Sequence, residues 1–220
     1  MTVDVVHYTA EGLPNIRQHI LDTHVEVRQR DFGLTGPFYD VDRFDERLSA
    51  YASRPSWTAV LGYEEGNVVG FCFGTALAPD TKWWGSMLTP LPAALMAENG
   101  KRTVALNEIV VRKAWRGRSV AWQLHEAWLT HRTEERVTLL VNPLNGDGAV
   151  QAVYEAWGYR KLGDQQPFAD SPVFSVMLRS VAPAESAVRD LMPGLSSLDG
   201  VMLGHHGRSS VRDSLGWRDG

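Results

Sequence analysis

The chain has 220 residues, 44% of them hydrophobic and 22% charged, enough for one substantial core. A net charge of −4 argues against the basic face of a general nucleic-acid binder, and no run approaches the ~20 apolar residues of a membrane span. A single cysteine excludes an internal disulfide framework and, with no secretory pattern at the N-terminus, fits a reducing cytoplasm.

The alternation in Val3–Tyr8 predicts a first strand. Pro14 to Arg30 carries Ile16, Ile20, Leu21, Val25 and Val27 at helical spacing, and Gly33-Leu-Thr-Gly-Pro37 ends that helix. A second helix is predicted over Asp42–Ser53, with Phe44, Leu48 and Tyr51 on one face. Ser56–Tyr63 and Asn67–Ala76 read as an antiparallel pair joined by the turn Glu64-Glu-Gly-Asn67. Cys72 falls in the second of these strands and reads as a core thiol.

Ala78–Ala93 is a long irregular segment, of the kind that is functional or mobile inside a compact domain. Thr103–Arg112 is the next strand, followed by a loop of small residues and Arg and then an amphipathic helix. Arg136–Val141 is a short apolar strand, and Gly148–Trp157 a helix stopped by Gly158. Tyr159–Gly163 and Val173–Arg179 are closing strands. The order is β-α-α-β-β-β-α-β-α-β-β, a mixed α/β domain over residues 1–180 with one sheet and helices on both faces. Residues 181–220 are rich in Gly and Ser and poor in periodicity. They read as a poorly ordered tail or a docking arm, with a short helix at Ser186–Met192.

The loop Arg116-Gly-Arg-Ser-Val-Ala121 carries the clearest chemical signal. Gly117 lets the backbone approach a ligand closely, and Ser119 and Ala121 leave the N–H groups uncovered. Arg116 and Arg118 add charge-assisted donors. With Val120, these residues present successive amides at a positive helix N-terminus, which suits a phosphate or pyrophosphate. An ordinary helix start accounts for the same residues, but here the loop follows an apolar strand directly. It is neither a Walker loop nor a three-glycine dinucleotide fingerprint. No Gly-x-Ser-x-Gly elbow and no Cys/His/Asp cluster at metal-ligand spacing occurs, so no metal is predicted. His125-Glu126, within the helix, reads as surface.

Leu106–Leu129 resembles motif A of the GNAT N-acetyltransferase superfamily, Arg/Gln-x-x-Gly-x-Gly/Ala after the fourth strand. Here the pattern reads Arg116, Ser119 and Ala121, with Ser119 in place of the middle glycine. A left-handed backbone there costs serine more than glycine. Leu139–Tyr159 is similar to motif B, with Pro143, Asn145, Tyr154, Gly158 and Tyr159 in place. The Asn-to-Tyr spacing is longer than the pattern's, so the Asn role falls to Asn145, passes to Asp147, or is absent. The resemblance spans Val3 to Arg179.

It implies a GNAT-like acyl-CoA N-acyltransferase fold with a splay between the fourth and fifth strands. It also implies transfer of an acetyl group from acetyl-CoA, or a related acyl-CoA, to an amine. The pyrophosphate would sit on the amides of Arg116–Ala121, and the pantetheine arm between Leu106–Arg112 and Val137–Val141, near Asn145. The thioester carbonyl would reach Ile109, Val110 and Val111, where a backbone N–H stabilises a developing oxyanion. Tyr154, on the helix after the fifth strand, is the family's candidate to protonate the leaving thiolate; the alternative is a tyrosine packed on the sheet.

Glu108 rests on the residues themselves. If Leu106 and Val110 face one side, Glu108 shares it, and a carboxylate among apolar neighbours has a raised pKa suited to a general base. A salt bridge to Arg or Lys is the equal alternative. Asn107 falls on the other face. Trp83 and Trp84, beside Lys82, either stack on an acceptor or staple their loop to the core. Phe32, Phe38 and Tyr39 form a second candidate wall, in the region that shapes acceptor specificity in this superfamily. The expected partner is a small-molecule, peptide or protein amine, with no nucleic acid and no membrane, and the acidic chain favours a cationic one. A homodimer is frequent in the superfamily. The rival reading is a module that binds acyl-CoA as a sensor or scaffold without chemistry.

Overall fold

A computed structural model describes residues 3–181; the expected tail beyond Val181 and its Ser186–Met192 helix lie outside the described residues. The strands are β1 (Asp4–Thr9), β2 (Thr58–Glu64), β3 (Asn67–Ala76), β4 (Thr103–Val111), β5 (Arg136–Val141), β6 (Arg160–Gln165) and β7 (Phe174–Ser180). They form one sheet in the order β1-β2-β3-β4-β5-β7-β6. Every neighbouring pair is antiparallel except β4 and β5, which are parallel. The helices are α1 (Leu13–His24), α2 (Val41–Ala52), the short α3 (Ala93–Met96), α4 (Val120–Leu129) and α5 (Ala149–Ala156). No described helix is long and apolar enough to cross a membrane.

Alternation along the central strands supplies two cores. Ala59, Leu61, Phe71 and Phe73 pack with α1 and α2, while Val60, Val69 and Cys72 turn to the face carrying α4 and Tyr154 of α5. Cys72 is the core thiol that the sequence predicts: it is fully buried, and its S–H donates to Leu124 O at 3.4 Å. Gly74 lets β3, β4 and α4 close together, because a Cβ there would lie 2.1 Å from Ala105 O and 2.5 Å from the Trp128 ring.

Two irregularities set up the site. The helix expected through Arg30 continues beyond α1 as a π-helical stretch, Val25–Asp31, closed by Phe32 N–H donating to Val27 O at 3.1 Å. Such wide turns recur at functional sites. In β4, Leu106 pairs with Gly74 and Glu108 with Phe73, so Asn107 is an extra, bulged residue. The bulge flips the strand. Leu106 packs on the α4 side, whereas Val110 packs on the α1–α2 side. The expectation that Leu106, Glu108 and Val110 share a face is thereby corrected.

His125 also departs from its surface assignment. It is fully buried, with Nε2 2.7 Å from the Tyr159 hydroxyl and Nδ1 2.9 Å from the Glu126 carboxylate. Burial lowers its pKa to about 4, so the ring is neutral at pH 7.

Candidate active site

β4 and β5 pair only from Thr103–Leu106 against Arg136–Leu139. β4 runs on to Val111 and β5 to Val141 without further pairing, so the sheet opens where the sequence predicts the splay. Arg112 N–H donates to Val69 O at 2.9 Å, and the β3–β4 register is unbroken from Glu108 to Val111. Strand alternation therefore turns the N–H groups of Ile109 and Val111 to the opposite edge, the one β5 has left. Behind this opening lies a cavity of about 550 Å³ that reaches from Asn145 and Tyr154 to α1 and α2.

The loop after β4 has left-handed backbone at Gly117 (φ +71°) and at Ser119 (φ +60°). Ser119 is the N-cap of α4 and makes no side-chain capping bond. Among the described residues, no acceptor takes the N–H of Gly117 or of Ser119. Amides turned outward at a helix N-terminus make an anion cradle. The side chain of Arg116 has another task. Its Nε donates to Val111 O at 2.9 Å, its Nη2 meets Asp31 at 2.6 Å, and it lies 4.6 Å from the Phe32 ring centre. The predicted phosphate donor is thus turned into the protein, tying the π stretch to the end of β4. Phe32, predicted as acceptor wall, packs on that guanidinium instead.

Tyr154 is buried on α5, lines the cavity, and meets Trp157 and Tyr159 edge-on at 5.3 and 5.7 Å. Burial pushes its phenol well above the ordinary value. Asn145 lines the same cavity. The added length between Asn145 and Tyr154 is taken up by left-handed backbone at Gly146, Asp147 and Gly148, which leaves Asp147 exposed. Glu108 forms an ion pair with Arg28, the side chains being 15% and 23% exposed. Burial alone would raise its pKa; Arg28, with His24 and Arg47, more than reverses this and holds it below the ordinary carboxylate value. Of the two alternatives for this residue, the salt bridge to an Arg is the one present, and the pKa is lowered rather than raised because the flipped strand delivers the carboxylate to a cation.

The acetyltransferase (GNAT) family profile matches residues 21–159. The chain belongs to the GNAT family. An acetyltransferase of this family from Staphylococcus aureus Mu50 is similar in fold, with a TM-score of 0.57 at 12% identity over 82% of this chain and 100% of that one. The aminoglycoside 6'-acetyltransferase type Ii gives 0.54 at 16% identity, covering 82% and 98%. An aminoglycoside 6'-N-acetyltransferase complexed with coenzyme A gives 0.51 at 14%, again covering 82% and 98%. At these identities the likeness is one of fold. No curated protein matches the sequence.

In this GNAT chain the far side of the cavity mixes expected and unexpected residues. Tyr39 and Trp83 line it. Trp84 does not. It is 6% exposed, packs with Leu77, Ala105 and Val176, and its Nε1 donates to Glu98 at 3.1 Å. It staples the loop. His24, Arg28 and Arg47 also line it, none of them a candidate from the sequence. His24 stacks on Phe44 at 3.6 Å, and among the described residues neither ring nitrogen has a partner. Burial lowers its pKa to about 4. The available signal was its place four residues after Ile20, on the apolar face of α1.

Proposed function

We propose that this GNAT protein transfers the acetyl group of acetyl-CoA, or of a related acyl-CoA, to a primary amine by direct attack in a ternary complex. The opening between β4 and β5 carries this reading. It gives one cavity in which Ile109, Asn145 and Tyr154 meet Glu108 and the aromatic wall from α2 and its approach.

The residues present fit a coenzyme A. The main-chain amides from Gly117 through Arg118, Ser119 and Val120 to Ala121 suit its diphosphate at the N-terminus of α4. The edge of β4 around Ile109, Val110 and Val111 suits the amides of its arm. Bound acetyl-CoA supplies a thioester whose carbonyl carbon is the electrophile and whose sulfur is the leaving group.

The amide of Ile109 or Val111 donates to the carbonyl oxygen as charge develops there. Tyr154 keeps its phenolic proton at neutral pH and gives it to the departing sulfur. Glu108, held ionised by Arg28, draws the ammonium form of the acceptor in and accepts its proton through water. Because Arg28 lowers its basicity, Glu108 assists weakly, and the fraction of unprotonated acceptor governs the rate. The lone, buried Cys72 supports a cytoplasmic setting.

Calorimetry with acetyl-CoA, followed by thiol release over a panel of amines, tests the proposal. No binding at millimolar cofactor would sink it. Binding without thiol release on any amine would instead support the sensor reading.

A further inference from the structure

The charge of the cavity runs against that of the chain. The protein carries −4 overall, which suggests a cationic acceptor. The cavity wall instead holds Arg28, Arg47, Arg54 and Lys82 against a single carboxylate, Glu108. Arg28 already pairs with Glu108. Among the described residues, Arg47, Arg54 and Lys82 form no direct ion pair, although the charges of Glu108 and Asp170 both act on Arg47. Arg54 and Lys82 are exposed, whereas Arg47 is half-buried and fixed in place. Its Nη1 donates to Phe38 O at 3.1 Å, and its guanidinium lies 4.5 Å from the Phe38 ring centre.

A guanidinium has five N–H donors, and withdrawing it from water without an acceptor for them is costly. Nη1 has the Phe38 carbonyl; the other N–H groups of Arg47 still reach water in the cavity, so a ligand that displaces this water must bring acceptors of its own. The planar fork is matched by a carboxylate or a phosphate. Glu108 and Arg47 stand close enough for each to shift the other's ionisation. An amine drawn to Glu108 therefore has a cation within reach of the rest of the molecule. Phe38, Phe168 and Phe174 cluster beside Arg47 and add an apolar surface.

We infer that the acceptor is an amine that also bears an anionic group on an aromatic or apolar body, with Arg47 taking the anion. This rests on the acyltransferase reading of the same site. It replaces the cationic acceptor suggested by overall charge, because the local field, not the net charge, meets the ligand.

The test is thiol release on two matched pairs, phenylalanine against phenethylamine and O-phosphoethanolamine against ethanolamine, compared at equal fractions of free amine. The first pair probes a carboxylate source and the second a phosphate source. In at least one pair kcat/KM for the anionic member exceeds that of its partner by about tenfold or more, the scale of a charge-assisted hydrogen bond. Arg47→Gln collapses that ratio towards one, and Arg47→Lys keeps part of it. Because a ratio is read, any loss of folded protein cancels. Equal values within both pairs, or faster neutral amines, overturn the inference. If none of the four releases thiol, calorimetry on the acetyl-CoA-saturated protein decides. There, binding of an anionic member over its partner supports the inference, and no preference overturns it. Failure of the acyltransferase reading shows earlier, as absent acetyl-CoA binding before any acceptor is added, and takes this inference with it.

Discussion

Arg28 and Glu108, 80 residues apart in the chain, meet as an ion pair in the wall of the cavity. The π stretch Val25–Asp31 carries Arg28 towards the sheet, and the bulge at Asn107 turns Glu108 to the α1–α2 face. The bulge thus decides between the two alternatives for Glu108, leaving an ionised carboxylate with a fixed counter-ion in place of a base with a raised pKa.

The first prediction concerns the pH–rate profile. With its pKa lowered by Arg28, Glu108 is ionised throughout the neutral range. The logarithm of kcat/KM then rises with pH only until the acceptor amine itself is deprotonated. No inflection appears at about 6–7, where a base with a raised pKa would place one. Arg28→Met removes the stabilising charge and leaves burial to push Glu108 up, so an inflection enters on the acid side. The same variant loses about 1–3 kcal/mol of stability, less than for a fully buried pair because the side chains keep partial contact with water. An inflection already present in the unmodified protein would contradict the assigned state of Glu108.

Acid stability should follow the buried histidines. His24 and His125 are each held at about 4, against 6.5 for a free histidine. Between those values the unfolded chain binds more protons than the folded one, so stability is full above pH 6.5 and falls as pH drops towards about 4. Urea midpoints measured across that window should decline, and His125→Gln should make the decline shallower. An identical slope in that variant would assign the protons elsewhere.

Tyr154→Phe separates chemistry from binding. Among the described residues no protein group hydrogen-bonds the Tyr154 hydroxyl, so removing it leaves the ring packing of α5 in place. We expect turnover to fall about 100-fold, within the range of general acid catalysis, while the Kd for coenzyme A moves by less than about threefold. Stopped-flow thiol release and calorimetry report the two quantities. Unchanged turnover would remove Tyr154 from the mechanism.

The parts of this site that were legible in the sequence follow periodicity or breakers. The alternation of Asn67–Ala76, the glycine stops, and the strand–loop–helix around Arg116 all occur, with ends shifted by about a residue or two. Asn145 and Tyr154 line the cavity although their spacing is longer than the motif's, because left-handed backbone at Gly146, Asp147 and Gly148 absorbs the extra length. The bulge at Asn107 and the π stretch were not legible: the bulge depends on pairing with β3, and the π stretch, though its hydrogen bonds are local, leaves no compositional mark. The state of Glu108 was not legible for that reason: the bulge turns it to the face where Arg28, four residues after the buried His24, also lies. His125 was misread for a different reason. Ala121, His125 and Leu129 recur at four-residue spacing beside the stripe of Val120, Leu124 and Trp128, so the apolar face of α4 is wide enough to bury the histidine.

Ser119 allows the most direct test of the cradle. Its left-handed backbone costs a serine about 1 kcal/mol, and glycine would remove that cost while returning about half of it as unfolded-state entropy. Its side chain makes no capping bond that would be lost. Ser119→Gly should therefore raise stability by up to about 0.5 kcal/mol and leave coenzyme A affinity equal or higher. Ser119→Val puts a β-branched side chain at the same dihedral, where it is an outlier. The backbone must rotate, the amides of Gly117 and Ser119 lose their common direction, and affinity for coenzyme A should drop about tenfold or more. Thermal unfolding with and without coenzyme A reads both effects. If Ser119→Val lowers stability but binds coenzyme A as tightly as before, the diphosphate does not rest on these amides, and the cofactor must be held elsewhere in the opening between β4 and β5.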